Sequence, residues 1–434
     1  MHELKALVSL VSLACLACLA CLSAALLACT REPDPVVARA PASTGPIDAS
    51  GSPRNCLRQP VGAAPTLRCW VEWLAAPALA GREPGSPGGA TAREGLEAVL
   101  RDLSLKPGGV GDSYTQALPR GANVLATIVG EDPARSGEHV VFGAHYDHLG
   151  VRGGATYLGA DDNASGVAVL LEVTRRLVAD PPARSVLVAA FDAEEPPAYL
   201  GEAMGSMHFV AHPTVPREQI VAMVAMDLMG GNLWEGARTP LYVMGRETIA
   251  SAGAPALDSQ VVPTRAMHLR LVEDLPGGRQ AFSDHGAFFA IQTPVLLFST
   301  GRSPHYHRVS DLPDTLDYDK LAGEVDIVEA HLRWLADLPE RPAWRADPPV
   351  TAADADTLAD LLASASGQGG SPEFAGMPTP VIRADLARMR RLSTGAPTTA
   401  LGEADARAVI SASLRAQCLL APDDEAPTAT CLML

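Results

Sequence analysis

Four short apolar runs of the sequence are each followed closely by side chains that can bind a metal ion. Imidazole nitrogens and carboxylate oxygens are common ligands of divalent metals. If the apolar runs form parallel strands, the groups after their carboxyl ends meet in one crevice although they lie far apart along the chain. The side chains concerned are His145, Glu194 with Glu195, Asp227 and His307.

An aspartate placed two residues after a histidine can support a metal site from behind. In the segment AHYDH at 144–148, the carboxylate of Asp147 is positioned to accept the second ring N–H of His145. Such a bond fixes the tautomer of a ligating histidine and raises its basicity. The motif is short, and the same letters also occur in ordinary polar loops.

The segment GADDNASG at 159–166 opens a predicted helix and carries two adjacent carboxylates, Asp161 and Asp162. Helix capping would account for one of them. A carboxylate has two oxygens and can bridge metal ions about 3.5–4 Å apart, a spacing that suits the attacking and departing oxygens of a hydrolysis. The second carboxylate therefore makes this segment a candidate bridge.

Glu194 and Glu195 lie between an apolar run and Pro196-Pro197. In such a turn one carboxylate can bind a metal while its neighbour takes a proton from water. Asp227 ends another apolar run, where a buried carboxylate needs a partner to offset its desolvation. A metal supplies that partner, and so would a buried salt bridge.

The elements that must position these groups alternate between β-like runs and helical patterns from about residue 69 to residue 338. This alternation predicts an α/β fold with a mostly parallel, mixed central sheet and helices on both faces. The segment 165–178 has an apolar stripe at helical spacing and is predicted to pack as a helix. The predicted strands are 123–129, 139–143, 185–191, 220–226 and 293–298.

Taken together, the motifs resemble those of the co-catalytic di-zinc exopeptidases related to aminopeptidase Y and secreted bacterial leucyl aminopeptidases. The resemblance covers roughly residues 69–338, with every motif in the family's order. It includes an early stretch, LAGREPGS at 79–86. The other motifs are AHYDHLG, GADDNASG, FDAEE, MDLMG, SDHGAF and the pair Tyr306-His307.

This resemblance implies a zinc-exopeptidase architecture of the phosphorylase/hydrolase-like type, with two zinc ions as cofactors. Asp162 corresponds to the ligand that bridges the two ions. His145 and Asp227 would complete one zinc site, and Glu195 and His307 would complete the other.

The resemblance also implies the catalytic roles. Glu194 corresponds to a general base that takes a proton from a metal-bridging water and delivers it to the leaving amine. Tyr306 corresponds to a group near the developing oxyanion. The family often has a cis peptide bond after the bridging aspartate, so we expect one between Asp162 and Asn163. The residues expected to support the site from behind are Asp147, Asp161, Asn163 and Asp284.

These roles predict a zinc-dependent exopeptidase, above all an aminopeptidase that acts on peptide substrates. Two alternatives stay open. The glutaminyl cyclases share the fold and form an N-terminal pyroglutamate with one zinc, whereas a carboxypeptidase or dipeptidase would recognise a carboxylate in place of an amine. Asn163 after the key aspartate and Tyr306, where a cyclase has Trp, favour the hydrolase. The stretch 196–200 departs from the family pattern beside the site and leaves the side-chain preference open.

A non-enzymatic binding protein with a dead site is a further reading. It requires a missing ligand or a missing base, and all six positions are filled. Retention of every chemically required group has no simple structural explanation, so the enzyme is favoured.

The N-terminal segment predicts that the protein is exported and attached to a membrane. Residues 1–29 form an apolar signal peptide whose last residues, Leu-Leu-Ala-Cys, resemble a bacterial lipobox with Cys29 as the lipidated residue. A transmembrane anchor is the alternative, because the run is long enough to span a bilayer at ~20 residues.

Residues 30–65 are predicted to be a flexible tether. The peptidase domain would cover 66–340, and the extension 341–434 has no assigned role. The predicted location is the bacterial cell envelope, as a lipoprotein, or the secreted fraction.

Charge and cysteine content limit the partners and the compartment. The formal net charge is -16, with 34 basic and 50 acidic side chains, which argues against nucleic acid as a partner. Four of the eight cysteines lie in the signal segment. In an oxidising compartment the other four predict two disulfides. We expect Cys56 to pair with Cys69 and Cys418 to pair with Cys431, although other pairings stay open.

Overall fold

A ten-stranded sheet forms the centre of the described part of the protein. The computed structural model describes residues 52–233, 238–251, 260–261, 264–271, 274–275, 278–279, 283–367 and 379–420. Its strands are β1 (Lys106–Pro107), β2 (Thr115–Ala117), β3 (Ala122–Ile128), β4 (His139–His145), β5 (Gly150–Arg152), β6 (Ala155–Tyr157), β7 (Ser185–Phe191), β8 (Ile220–Met226), β9 (Pro240–Met244), β10 (Gln260–Val261), β11 (Thr264–Leu269), β12 (Asp274–Leu275), β13 (Gly278–Arg279) and β14 (Val295–Ser299).

The sheet is parallel in its centre and antiparallel towards its flanks. The strand order is β1-β3-β7-β4-β8-β14-β9-β11-β10, with β2 paired to β3. The neighbours β7, β4, β8 and β14 run parallel to one another. The direction reverses between β3 and β7 and again between β14 and β9. The predicted mixed α/β sheet is confirmed, and its parallel part is the block that carries the candidate ligands.

The central strands form because their sequences are apolar on both faces. Every residue of β4, β7 and β8 is buried, as expected for parallel strands covered by helices on both sides. Each predicted strand overlaps an observed one. β4 extends two residues beyond the predicted run 139–143 and ends on His145. The first candidate ligand therefore belongs to the strand itself.

Helices cover both faces of the sheet, as predicted. A first apolar core joins one face to the helices near the N-terminus and to the long helix after β14. A second core joins the other face to the C-terminal helices. The described helices are α1 (Ala64–Leu74), α2 (Pro87–Asp102), α3 (Gly166–Ala179), α4 (Gly205–Ala211), α5 (His285–Phe289), α6 (Tyr318–Asp337), α7 (Ala352–Gly367), α8 (Thr379–Leu392) and α9 (Glu403–Leu420).

The folded chain begins earlier than the predicted end of the tether at residue 65. Pro53–Arg58 forms a 3-10 turn in which Cys56 is buried. Cys56 is bonded to Cys69 in α1, with a Cα–Cα distance of 5.6 Å, so this predicted disulfide is confirmed. The structure describes residues 52–65 as folded, so the tether prediction was wrong there: the predicted disulfide fixes the turn at Pro53–Arg58 to α1, which the small and polar composition alone does not indicate.

Several predictions concern residues that the structure does not describe. The signal segment 1–29 and the tether up to residue 51 lie outside the described residues. The predicted pair Cys418–Cys431 also lies outside the described side chains. None of the described helices is both long enough and apolar enough to cross a membrane.

The described part of the C-terminal extension packs on the sheet. Leu358 and Leu362 of α7 share an apolar core with Met267 and Leu269 of β11. The guanidinium of Arg270, which follows β11, donates to the carbonyl of Pro349 at 2.6 Å. The extension therefore covers the flank of the sheet that lies beyond the parallel block.

His331 is a buried histidine on α6. Its Nδ1 lies 2.7 Å from the carbonyl oxygen of Ile327, and its ring meets Phe298 edge-on. Burial lowers the pKa of His331 to about 4, opposed by the Ile327 carbonyl and reinforced by Arg246 and His268. The folded protein therefore keeps this imidazole neutral at a pH where the unfolded chain would protonate it.

We predict that His331 makes the fold sensitive to acid. Because its pKa is lower in the folded state, its contribution to stability is complete above pH ~6.5 and is lost as the pH falls towards ~4. The shift corresponds to roughly 3 kcal/mol of unfolding free energy. In His331→Asn, denaturant unfolding in the presence of a chelator should depend less on pH across this range than in the wild type. Parallel pH profiles for the two proteins would contradict this assignment.

Candidate metal centre

The parallel block of the sheet brings the predicted ligands to one edge. His145 is the last residue of β4, and Asp227 directly follows β8. Glu195 lies in the loop after β7, and His307 lies in the loop after β14. Asp162 enters the same space from the turn that precedes α3. Because the four strands are parallel neighbours, their carboxyl ends deliver these side chains to a common place.

The bridging candidate Asp162 lies between two histidines, with one carboxylate oxygen towards each. Its Oδ1 lies 3.4 Å from His145 Nε2, and its Oδ2 lies 3.2 Å from His307 Nε2. Asp227 Oδ1 lies 3.3 Å from His145 Nε2. Glu195 Oε2 lies 3.2 Å from His307 Nε2. The structure therefore forms two groups of ligand atoms that share Asp162.

The spacing within each group fits a tetrahedral metal ion. Two ligand atoms about 2.1 Å from a tetrahedral metal lie roughly 3.4 Å apart, and the N–O distances in both groups are close to this value. His307 Nε2 is buried and makes no hydrogen bond of good geometry, although it lies between two carboxylates. An orphaned ring nitrogen in that position is what a metal ligand requires.

The electrostatic field of the site favours cations. Burial opposes a charge on His307, yet the carboxylates of Asp162 and Glu195, each 3.2 Å from its Nε2, raise its pKa to about 10. Burial also opposes a charge on His145, but Glu194 and Asp227 raise its pKa well above the usual range. A field that attracts a proton this strongly attracts a divalent cation at the same place.

Glu194 is placed beside one ligand group without belonging to the bridge. Its Oε2 lies 3.8 Å from His145 Nε2, and the residue is 5% exposed. The backbone N–H groups of Glu194 and Glu195 both donate to the carboxylate of Asp147, each at 3.1 Å. Asp147 thereby fixes the direction in which the two glutamates leave the turn.

The predicted hydrogen bond from His145 to the carboxylate of Asp147 is not what the structure shows. Nδ1 of His145 lies 3.3 Å from the backbone carbonyl of Asp147 and 3.7 Å from its Oδ1. The carboxylate is occupied by the two glutamate amides. Asp147 still supports the site from behind, but its backbone faces the histidine and its side chain holds the turn after β7.

The two adjacent glutamates have opposite protonation tendencies. Burial raises the pKa of Glu194 well above its usual range, and the negative charges of Asp227, Glu195 and Asp284 add to this effect against His145. Burial acts the same way on Glu195, but the imidazoles of His148 and His307, in contact with its two carboxylate oxygens, outweigh burial and hold its pKa well below the usual range. A pair of neighbours that differ in this way suits a proton carrier beside a permanent ligand.

The loop that carries Asp162 is fixed by contacts on both sides. The carboxylate of Asp311 accepts the backbone N–H groups of Asp161 and Asp162 at 2.8 and 3.1 Å. The Asn163 side chain donates to the carbonyl of Met226, at the end of β8, at 2.9 Å. The peptide bond between Asp162 and Asn163 is cis, as the resemblance implied.

In the described chain two clusters of side chains could hold a metal ion, His145 with Glu194 and Asp227 and His148 with Asp162 and Glu195, and Asp161 and Asp284 belong to neither. Asp161 is buried against Gly231, where a Cβ would come within 2.4 Å of its Oδ2. Asp284 is also buried, and burial raises its pKa to about 7, with His145 opposing and Asp227 reinforcing the shift. Burial and the neighbouring Asp311 and Asp162 also raise the pKa of Asp161 well above its usual range, so both groups are shifted towards the protonated form.

Tyr306 lies flat against a predicted metal ligand, His307. Its ring is stacked on that of His307, with centroids 3.8 Å apart and an angle of 14° between the planes. The guanidinium carbon of Arg302 lies 4.2 Å from the centroid of the Tyr306 ring. Burial raises the pKa of Tyr306 well above its usual range, and Arg302 only partly opposes this. The phenol therefore keeps its proton and stays a hydrogen-bond donor.

Sequence reasoning missed three residues that hold the centre together. His148 Nδ1 lies 2.9 Å from Glu195 Oε1, and Asp311 binds the Asp162 loop as described above. Arg82 is the third, fully buried beneath the ligand loops. His148 and Arg82 stand inside motifs that were recognised, and Asp311 lies four residues after His307. Nothing in their residue types showed that Asp311 and Arg82 would bind backbone, because such partners leave no pattern in a sequence.

Comparisons with known proteins place these features in a family. A family model described as Peptidase family M28 matches residues 123–330 of the chain. The Escherichia coli K12 protein YfbL, described as uncharacterized, is 30% identical over 238 residues, which cover 49% of this chain and 72% of YfbL. A glutaminyl-peptide cyclotransferase-like protein of Bos taurus is 37% identical over 138 residues, which cover 31% of this chain and 34% of that protein. The chain thus spans about a third of the length of the bovine relative.

A solved structure shares the fold. The match to BSAP, a zinc aminopeptidase from Bacillus subtilis, has a TM-score of 0.50 and 15% sequence identity. It covers 65% of this chain and 97% of that chain. At this level of identity the likeness is evidence for the architecture alone, and it agrees with the mixed sheet and the two helical layers described above.

We predict that Asp311→Asn weakens metal binding. The carboxylate accepts two backbone N–H groups, one with each oxygen, whereas an amide has one acceptor oxygen and would turn its NH2 towards the other N–H. Loss of a residue that orients ligands costs about 10- to 100-fold in metal affinity. Competition between the protein and a chelator for zinc would measure this loss.

The neighbouring Asp314 provides a matched control. Its side chain is 77% exposed and pairs with Arg68 on the surface, so Asp314→Asn should leave zinc affinity unchanged. Equal zinc affinities of Asp311→Asn and the wild type would show that Asp311 does not position the bridging loop.

Proposed function

The chain belongs to peptidase family M28, and on this basis we propose that it is a zinc-dependent aminopeptidase that removes N-terminal residues from peptides. The observation that carries the proposal is the position of Asp162. One of its oxygens faces His145 and the other faces His307. A carboxylate held in this way is suited to join two metal ions in one hydrolytic centre.

Each zinc ion would have its own set of ligands. His145 and Asp227, with Oδ1 of Asp162, would hold one, and His307 and Glu195, with Oδ2 of Asp162, would hold the other. When bound, such a pair lowers the pKa of a water molecule between the ions and polarises the scissile carbonyl.

Glu194 is the group that moves the proton. It lies beside His145, and its direction is fixed by the hydrogen bonds that the backbone N–H groups of Glu194 and Glu195 donate to the carboxylate of Asp147. In its ionised form Glu194 can take the proton of the attacking water, and the high proton affinity that burial gives it suits it to hold that proton until it passes to the leaving amine. Tyr306 remains protonated and is the donor proposed for the oxyanion that forms as the carbonyl is attacked.

The negative charge of the centre supports recognition of an amine. Asp162, Glu194, Glu195, Asp227 and Asp284 are carboxylates within one mostly buried space. Bound zinc ions would favour the ionised form of these groups, and their combined charge of -5 would then exceed the +4 of two zinc ions. An α-ammonium group is therefore favoured near the site over the C-terminal carboxylate that a carboxypeptidase would bind.

A glutaminyl cyclase is the second candidate, because a cyclotransferase-like protein is 37% identical over part of the chain. A cyclase of the one-zinc type considered from the sequence needs only one ligand group. The presence of a second histidine group on the other side of Asp162 favours the hydrolase over this alternative.

We predict that the protein without residues 1–29 hydrolyses aminoacyl-p-nitroanilides, that a chelator abolishes this activity, and that added zinc restores it. The same substrates with acetylated amines should not react.

Glu194→Gln should retain its zinc and lose about 10²- to 10⁴-fold in kcat, because the proton carrier is gone. Glu202→Gln, an exposed change in the following loop, should behave as the wild type.

Other results would change the assignment. Conversion of N-terminal glutaminyl peptides to pyroglutamate, without release of other residues, would establish the cyclase. A sample that binds two zinc ions but releases residues only from free C-termini would establish a carboxypeptidase.

We also propose that the protein is exported and attached to the cell envelope through a lipid on Cys29, with the secreted form as the alternative. The sequence of residues 1–29 supports this. The Cys56–Cys69 disulfide agrees with it, because disulfides persist in oxidising compartments. In cells, Cys29→Ala should move the protein from the membrane fraction to the soluble fraction. Unchanged fractionation of the variant would remove the lipid from the proposal.

A further inference from the structure

Arg82 enters the protein interior from an unusual turn. Ala80, Gly81 and Arg82 all have left-handed backbones, with φ of 46°, 73° and 53°. A Cβ at Gly81 would lie 2.2 Å from the carbonyl oxygen of Tyr157, so only glycine fits this close approach. The turn sends the side chain of Arg82 under the metal centre, where the residue is fully buried.

The guanidinium of Arg82 donates to four backbone carbonyls. Its Nε donates to Tyr146 at 2.7 Å, and its Nη2 donates to Gly159 at 2.8 Å. Its Nη1 donates to Leu158 and to Leu74, both at 2.7 Å. The four acceptors belong to three segments of the chain that are far apart in sequence.

Two of these segments carry the metal ligands. Tyr146 stands between His145 and Asp147, and Gly159 opens the short turn that presents Asp162. One rigid, planar group therefore sets the distance between the backbone next to His145 and the backbone next to the bridging carboxylate. The third segment, at the end of α1, ties both to the helical layer.

We propose that Arg82 is a positioning residue of the metal centre, which holds the His145 loop and the Asp162 loop in register before a metal binds. This inference rests on the proposed function, because it assigns a role at the same centre. It assigns Arg82 no contact with the substrate.

The charge of Arg82 supports this role. Burial lowers its pKa to about 10, against the raising effects of Asp311, Asp147, Asp162 and Glu195, so the group stays protonated at neutral pH. None of its four acceptors is a carboxylate, so the acidic side chains above it are left available to bind metal. A buried cation beneath a crowd of carboxylates also offsets part of their mutual repulsion.

Lysine cannot reproduce the bonds of this arginine. A guanidinium has five donors in a planar fork, whereas an ammonium is a single point with three donors. Arg82→Lys thus keeps the charge and much of the volume but cannot reach four carbonyls in different directions. We expect this variant to bind zinc about 10- to 100-fold more weakly than the wild type, as measured by competition with a chelator.

Arg184 provides the matched control. It is as buried as Arg82 and likewise donates to backbone carbonyls, those of Ala336 and Leu338. It directly precedes β7, at the end of the strand opposite the metal centre. Arg184→Lys should lower the melting temperature of the metal-free protein without changing its zinc affinity. Arg82→Lys should weaken zinc binding, and by more than any loss of stability of the metal-free protein accounts for.

Two results would overturn the proposal. The first is wild-type zinc affinity in a folded Arg82→Lys protein, which would reduce Arg82 to a packing role. The second needs no variant and decides the matter if Arg82→Lys does not fold. In metal-free wild-type protein, the amides of 145–150 and 158–163 should resist hydrogen exchange about as well as with zinc bound, and rapid exchange would show that the loops are not held beforehand.

These measurements are separate from the test of the reaction. Zinc affinity and amide exchange do not depend on the substrate. If every peptide substrate fails but Arg82→Lys binds zinc weakly, the proposed activity is wrong and the role of Arg82 stands. If peptides are hydrolysed but zinc affinity is unchanged in the variant, the reverse holds.

Discussion

The candidate metal centre depends on one carboxylate whose two oxygens must face two different histidines. Asp162 can serve two histidines only if its backbone is fixed relative to both of them, and an isolated loop cannot do this. The surrounding residues meet this requirement from several sides. The carboxylate of Asp311 accepts the backbone N–H of Asp162, and the side chain of Asn163 donates to the end of β8. Arg82 connects the start of the turn to the loop after β4.

Gathering so many carboxylates in a buried space is costly, because each loses its hydration and repels the others. The protein divides this cost unequally. Glu195 is stabilised in its charged form by two histidines, while Glu194, its neighbour in the chain, is pushed towards the protonated form. The turn after β7 makes the difference, because Asp147 binds both backbone amides and directs the two side chains into different surroundings.

The sequence was sufficient to predict the strands of the parallel block and the side chains that follow them. Apolar runs ending in His145 or Asp227 have a clear pattern, because burial on both faces excludes polar residues until the strand ends. The bonds of Arg82 and Asp311 could not be predicted in the same way. Their partners are backbone atoms of remote segments, and those partners are determined only when the chain is folded.

The same limit applies at the ends of the domain. The turn at Pro53–Arg58 has a composition typical of linkers and is folded because Cys56 is bonded to α1. The reversal of strand direction between β14 and β9 and the parallel pairing of β9 with β11 were not predicted. Strand direction there follows from long connections, and no local spacing of apolar residues encodes it.

The distribution of the ligands along the chain has a consequence for biosynthesis. They extend from His145 to His307, and each lies at the end of a strand or in a different connecting segment. No shorter piece of the growing chain contains both ligand groups, so a ribosome must release most of the protein before the centre can assemble. A centre built in this way cannot form before residue 307 has been synthesised.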